Sequence, residues 1–228
     1  MKRLLVGFGD SWTFGSELDK PATQNWVYQL GDILKCPSIN KGTPGSSIGH
    51  LTVQLFEYIN ESSKFIDYEK IFMVGLTGQS RYLSYYNQSN EFVHITPEAT
   101  YRTQRHATGQ PPDVVDDFSI IHKETYKRIQ HVEWDTYLTA QVIFQFQQYC
   151  KVNNIKVYFF SYFDTVDLSN YNSVIELTQI HPTTITKTIT GMDYTDTDIM
   201  KHPCFTGKLF HPNIHGHRAI AELLNKYI

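Results

Sequence analysis

Leu4-Leu5-Val6-Gly7-Phe8-Gly9-Asp10-Ser11-Trp12-Thr13-Phe14-Gly15 is the stretch whose reading decides the fold of this chain. It starts as a short apolar run, the pattern of a strand buried on both faces of a sheet. Gly9-Asp10-Ser11 then stops the strand with a turn composition that permits a sharp bend. A serine at the C-terminal end of the first strand of an α/β protein sits in the crevice where such folds place their chemistry. A helical turn after it would add backbone N–H groups and a favourable dipole for developing negative charge. Asp10 reads as structural, its carboxylate satisfying N–H groups of the turn.

Outward from that stretch, Thr23 is expected to cap a helix carrying Trp26, Val27, Leu30, Ile33 and Leu34 at helical spacing. Cys36-Pro37-Ser38-Ile39 is a short second strand at best. Asn40-Lys41-Gly42-Thr43-Pro44-Gly45-Ser46-Ser47 is a turn-rich loop whose last serines can cap a helix bearing Ile48, Leu51, Leu55, Tyr58 and Ile59. Lys70–Leu76 and Ile155–Tyr162 read as further buried strands. A helix is expected over 133–152, with Trp134, Leu138, Val142 and Phe146 four apart, and a last one bearing Ile220, Leu223, Leu224 and Tyr227. Strands alternating with amphipathic helices predict an α/β protein: a flavodoxin-like parallel sheet in a three-layer α/β/α arrangement. One domain over 1–228 is expected, with two irregular insertions at about 82–132 and 164–206. Both follow strands on the side of Ser11, where lids or substrate-recognition loops belong.

Composition excludes several classes. With 41% hydrophobic and 19% charged residues the chain is globular rather than disordered. A net charge of -3 gives no basic footprint for nucleic acid. Cys36, Cys150 and Cys204 are few and far apart, which suggests reduced thiols, a cytoplasmic setting and no zinc spacing. The first apolar run is cut by Gly7, Gly9 and Asp10 before reaching signal-peptide length, and no run approaches the ~20 apolar residues of a membrane span.

Four pieces converge on one edge of the expected sheet. Ser11 follows the first strand, Gly45 precedes the second helix, Thr77 follows the Lys70–Leu76 strand, and His211 precedes the last helix. Acyl transfer needs such a set: a nucleophile, a base within reach, and donors aimed at an oxyanion. Here the chain resembles the SGNH (GDSL-type) hydrolases, with blocks in the family's order along its whole length. Gly9-Asp10-Ser11 resembles the block that supplies the nucleophile, and Asn40–Ser46 the second, with Gly45 where the oxyanion glycine lies. Gly75-Leu76-Thr77 stands where the family reads Gly-x-Asn, and His211-Pro212-Asn213-Ile214-His215-Gly216-His217 resembles the last block. The resemblance implies ester hydrolysis by Ser11 and His211. The backbone of Ser11 and Gly45, with Thr77, would hold the oxyanion, and no cofactor or metal would be needed.

Two positions depart from the family. Thr77 replaces its oxyanion asparagine, and one lost donor costs on the order of 10²–10³ in rate. Lys208 stands where the family places an aspartate three residues before the histidine, and losing that carboxylate costs roughly 10⁴. Asp193, Asp196 and Asp198 are the nearest replacements in sequence, and a backbone carbonyl is the other way to hold the ring. Arg81 is a candidate for binding a substrate carboxylate or phosphate. Tyr82, Tyr85, Tyr86 and Phe92 are candidates for a sugar-stacking platform. His202, His215 and His217 read as capping or solvated residues rather than ligands, because positions two apart do not share a helix face. Cys204 reads as a buried thiol.

The expected function is a serine esterase for small carboxylic esters, with O-acetyl groups on carbohydrate foremost because the insertions are polar and aromatic. The alternative is an SGNH-like module of weak or lost turnover that holds a glycan or other small ligand. A flavodoxin-like cofactor carrier is disfavoured, since no Gly-rich phosphate loop follows the first strand.

Overall fold

The apolar run becomes the central part of strand β1 (Lys2–Phe8), paired on both sides by parallel strands. The computed structural model describes residues 2–78, 82–86, 91–95, 100–102, 132–163, 166–193, 197–206 and 211–228. After β1 come helices α1 (Ser11–Phe14), α2 (Pro21–Gln24) and α3 (Trp26–Leu34), then β2 (Ser38–Asn40), α4 (His50–Glu61) and β3 (Tyr68–Leu76). Next are strands β4 (Tyr82–Tyr86), β5 (Glu91–Ile95) and β6 (Thr100–Arg102), helix α5 (Val132–Val152) and strand β7 (Lys156–Ser161). The chain ends with α6 (Ile185–Thr190), β8 (Phe205–Thr206), β9 (His211–Pro212) and α7 (Ile214–Leu224).

The main sheet is parallel, in the order β2-β1-β3-β7. Strand alternation sends Leu4, Val6 and Phe8 to one face and Leu5 to the other. The first face packs Phe72, Val74, Val157 and Phe159 against Leu51, Leu55 and Tyr58 of α4 and Val142, Ile143 and Phe146 of α5. On the second, Ile71, Met73, Phe160 and Tyr162 meet Trp26, Val27 and Leu30 of α3, Ile185 of α6, and Ile220 and Leu224 of α7. Burying each such side chain contributes about 1.5–3 kcal/mol, so both layers hold the sheet. This is the expected three-layer α/β/α arrangement.

From β1 the chain leaves to β2 on one side and returns to β3 on the other. The C-terminal ends of β1 and β3 therefore flank a topological switch point, where open α/β sheets bind ligands. Ser11 follows β1 and Thr77 follows β3.

Several local expectations are corrected. Asn25, not Thr23, caps α3 by accepting from the Tyr28 N–H, and Thr23 lies inside α2. No serine side chain caps α4, whose N-cap is Gly49; Ser46 and Ser47 are turned inward and buried. Trp134 is half exposed and stacks on Tyr137 one turn away, while Leu138, Val142 and Phe146 do face the core. Tyr227 lies beyond α7 and packs edge-on to His181. The 164–206 span, which shows no core pattern in sequence, buries Leu168, Ile175, Ile185 and Ile199. β4, β5 and β6 form a separate antiparallel sheet, with Tyr85 in register with Phe92.

Candidate active site

The turn after β1 is held by its own side chains and by three others. Asp10 is fully buried and is the N-cap of α1, its carboxylate accepting the Trp12 N–H at 3.0 Å. Ser11 is therefore the first residue of a helical turn. Gly9 adopts φ +154°, and a Cβ there would run into the Thr13 side chain, so only glycine fits. Its N–H donates to Gln54 Oε1 at 3.0 Å and its carbonyl accepts from Gln54 Nε2 at 2.8 Å and from the Thr43 N–H at 3.0 Å. Asn40 Nδ2 donates to the Thr13 carbonyl at 2.7 Å. The second-block loop is thus stitched to the serine turn, and Gly45 in it takes φ +73°.

A buried polar chain braces the same turn from below. Trp26 Nε1 donates to the Tyr162 hydroxyl at 2.9 Å, which lies 2.7 Å from Thr13 Oγ1. Thr13 Oγ1 in turn donates to the Phe8 carbonyl at 3.3 Å. Burial and the nearby Asp10 carboxylate raise the Tyr162 pKa well above its usual value, so the phenol stays a neutral donor.

The histidine arrives from the far end of the chain. β9 pairs antiparallel with β8, Thr206 opposite His211 and Phe205 opposite Pro212. Asn213 caps α7 by accepting from the His215 and Gly216 N–H groups, while its own side-chain amide donates to the Pro203 carbonyl at 2.7 Å. A Cβ on Gly216 would collide with the Cys204 carbonyl. His217 is fully buried, and its Nδ1 accepts the N–H of Trp26, the first residue of α3, at 3.1 Å. Each of Asn213, Gly216 and His217 therefore has a local reason in the His211–His217 block. β9 packs against α1. The residues next to Ser11 and His211 are also linked, because Trp12 packs at a tilt against Phe205, the pairing partner of Pro212, with ring centroids 5.3 Å apart.

The carboxylate beside His211 is one that sequence reasoning missed. Glu17 Oε2 lies 3.5 Å from His211 Nδ1. Of the residues proposed from sequence, Asp193 is paired with Lys187 at 3.0 Å and Asp198 with Lys201 at 2.6 Å, both on the surface, while Asp196 and Lys208 lie outside the described residues. Thr77 is 5% exposed, and its hydroxyl has no hydrogen-bond partner among the described residues. Arg81 lies outside the described residues, as do the side chains of Tyr82, Tyr85, Tyr86 and Phe92. Burial raises the Cys204 pKa, so the thiol is held protonated. Among the described residues no group of three or more His, Cys, Asp and Glu side chains is placed to hold a metal ion. No described helix is long and apolar enough to cross a membrane. The groove lined by Tyr28, Asp32, Lys35 and Pro37 lies at the opposite edge of the sheet, before β2, away from Ser11.

No protein-family model matches this sequence, and no curated protein matches it. Solved structures do match over the full chain. One is a lipolytic protein of the G-D-S-L family from Desulfitobacterium hafniense, at TM-score 0.50 and 12% identity, with 100% of both chains covered. A second is a carbohydrate esterase whose active site is described as displaying divergent catalytic and non-catalytic binding functions. It matches at TM-score 0.50 and 12% identity, over 99% of this chain and 64% of its own. A third is a carbohydrate esterase family 2 enzyme with a carbohydrate-binding domain, from Corynascus thermopiles (Myceliophthora fergusii). It matches at TM-score 0.50 and 14% identity, over 100% of this chain and 65% of its own. This chain thus spans just under two thirds of the length of the two carbohydrate esterases. The fold is that of the SGNH hydrolases.

Proposed function

We propose that the protein is a serine ester hydrolase acting on small carboxylic esters, foremost O-acetyl groups on carbohydrate, with 1–228 as a single catalytic domain. The observation that carries this reading is the packing of β9, which opens with His211, against α1, which opens with Ser11, at the C-terminal edge of the parallel sheet. The fold it shares with esterases and carbohydrate esterases supports the same chemistry.

In this mechanism His211 Nε2 takes the Ser11 Oγ proton as the oxygen attacks the ester carbonyl. The backbone N–H groups of Ser11 and Gly45, with the Thr77 hydroxyl, hold the oxyanion of the tetrahedral intermediate. As the intermediate collapses, His211 passes its proton to the departing alcohol and an acyl-Ser11 ester remains. A water molecule, deprotonated by His211, then attacks that ester, and the carboxylic acid leaves as Ser11 regains its proton. Thr77 suits this role because its buried hydroxyl has no hydrogen-bond partner among the described residues and loses none of them when it turns toward a new acceptor.

Hydrolysis of p-nitrophenyl acetate by the wild type and by Ser11→Ala tests the reading, with acetate release from an O-acetylated oligosaccharide as the second substrate. Turnover that disappears in Ser11→Ala, with a phosphonate adduct mapping to Ser11, is the expected result. Equal rates in the two proteins would remove the esterase and leave the glycan-binding module.

A further inference from the structure

We infer that Glu17 is the carboxylate that orients His211, taking the place of the aspartate that Lys208 displaces in sequence; the inference rests on the Ser11–His211 reading above. The first observation is position. Oε2 of Glu17 lies 3.5 Å from Nδ1 of His211; the Glu17 side chain is 26% exposed, on a residue that is exposed as a whole. Nδ1 is the ring atom turned away from a serine that engages Nε2, so a carboxylate there fixes the tautomer that the reaction needs. The separation is that of an ion-pair contact rather than a hydrogen bond, and catalytic contacts of this kind are often long in a resting site and tighten in the reacting complex.

The second observation is backbone conformation. Glu17 adopts φ +68°, a left-handed conformation that disfavours any side chain bearing a Cβ. Among the described residues two other non-glycine positions do so, and both sit at helix ends: Lys35 closes α3, and Asn154 follows α5. Glu17 stands instead third in the turn from Gly15 to Leu18, closed by the Leu18 N–H donating to the Gly15 carbonyl at 3.3 Å, a position that favours glycine or asparagine. α1 is already closed by Gly15, at φ +90°, whose N–H donates to the Ser11 carbonyl as does that of Ser16. A glycine at position 17 would relieve the strain. A glutamate held there against it points to a task for its side chain.

The two observations converge on one device. Gly15 ends the short nucleophile helix, the chain turns, and Glu17 is brought beside Nδ1 of the imidazole that arrives from β9. Nucleophile and orienting acid then come from one nine-residue segment (9–17), while the base comes from the opposite end of the chain. In the reaction Glu17 stays ionised throughout. The proton shuttles only between Ser11 Oγ, His211 Nε2, the leaving alcohol and the incoming water, and the carboxylate balances the imidazolium charge through Nδ1–H. Glu17 is thus a positioning residue.

The test compares wild type, Glu17→Gln and Glu17→Gly on p-nitrophenyl acetate, with Ser11→Ala as the reference. It also reads the tautomer of His211 by nitrogen-15 NMR. Glu17→Gly suits the left-handed φ, so a loss there cannot be assigned to misfolding; its thermal midpoint should match or exceed that of the wild type. Expected are a fall in kcat of about 10²- to 10⁴-fold in both variants with KM unchanged, and a His211 proton that sits on Nδ1 in the wild type and leaves it in Glu17→Gly. Wild-type kcat in both variants, alongside a dead Ser11→Ala, would overturn the role of Glu17 while leaving the esterase intact. If no Ser11-dependent turnover is found at all, the esterase reading falls, and the tautomer decides separately: a shift in Glu17→Gly sustains the assignment, and an unchanged tautomer overturns it.

Discussion

Gln54 holds Gly9 by both of its backbone groups, the N–H at 3.0 Å and the carbonyl at 2.8 Å, across 45 positions of chain. The side-chain amide acts as a surrogate neighbouring strand just where β1 ends and pairing would otherwise stop. It also donates to Ser46 Oγ at 3.2 Å, which in turn contacts His50 Nδ1 at 3.0 Å, so one residue of α4 ties the serine turn to the Gly45 loop. Gln54→Leu keeps the bulk and removes both partners. It should lower stability by about 1–3 kcal/mol, because the buried N–H of Gly9 is left unsatisfied and its carbonyl keeps only the Thr43 N–H. The turn that presents Ser11 would loosen with it, and kcat on p-nitrophenyl acetate should fall by up to ~10²-fold. Urea titration and steady-state kinetics on the same preparation check both; an unchanged urea midpoint would show that Gln54 does not hold the turn.

Gln54 also marks where sequence reading stops. The helix it sits on was legible, since Leu51, Leu55 and Tyr58 recur on one face, and Gln54 stands in that face as a polar residue among apolar ones. A polar side chain buried there had to have a partner, but nothing local names Gly9. The parallel core was legible for the same reason in reverse: β1, β3 and β7 are apolar runs whose burial does not depend on what lies far away. The 164–206 span was not, because Leu168, Ile175, Ile185 and Ile199 reach the core from separate short turns and leave no period. Ser11, Gly45, Thr77 and His211 could be singled out because each adjoins a strand end or a helix start. Glu17 could not, because what marks it is a backbone angle and a contact across 194 positions of chain, whereas the spacing of the last block points three residues before the histidine.

Thr77 separates function from stability. Its hydroxyl is buried and has no partner among the described residues, which costs the folded state rather than helping it. Thr77→Val keeps the β-branched shape at the end of β3 and removes only that oxygen. Stability should stay level or rise by up to ~1 kcal/mol. If the hydroxyl serves the oxyanion, kcat should fall by about 10²- to 10³-fold while KM moves little. A valine variant that turns over like the wild type would take Thr77 out of the oxyanion site. A valine variant that unfolds readily would mean that the hydroxyl has a structural partner instead.

His217 should make the protein acid-sensitive. Its Nδ1 accepts the Trp26 N–H that opens α3, so the buried ring is neutral, with its proton on Nε2. Protonating Nδ1 would set two N–H groups against each other. Burial, with a smaller contribution from nearby His211, pushes the His217 pKa down from 6.5 to about 3. In the unfolded chain the same group titrates near its ordinary value. Between those two values the unfolded chain therefore binds more protons than the folded one, and stability falls as pH falls. The loss begins near pH 6.5, approaches ~1.4 kcal/mol per pH unit, and levels off near pH 3. His217→Gln keeps an acceptor for the Trp26 N–H without a titrating ring. It should be less stable than the wild type at about pH 7.5, yet lose much less between there and about pH 5. Urea midpoints at the two pH values decide it: parallel losses in wild type and variant would mean that another group carries the acid sensitivity.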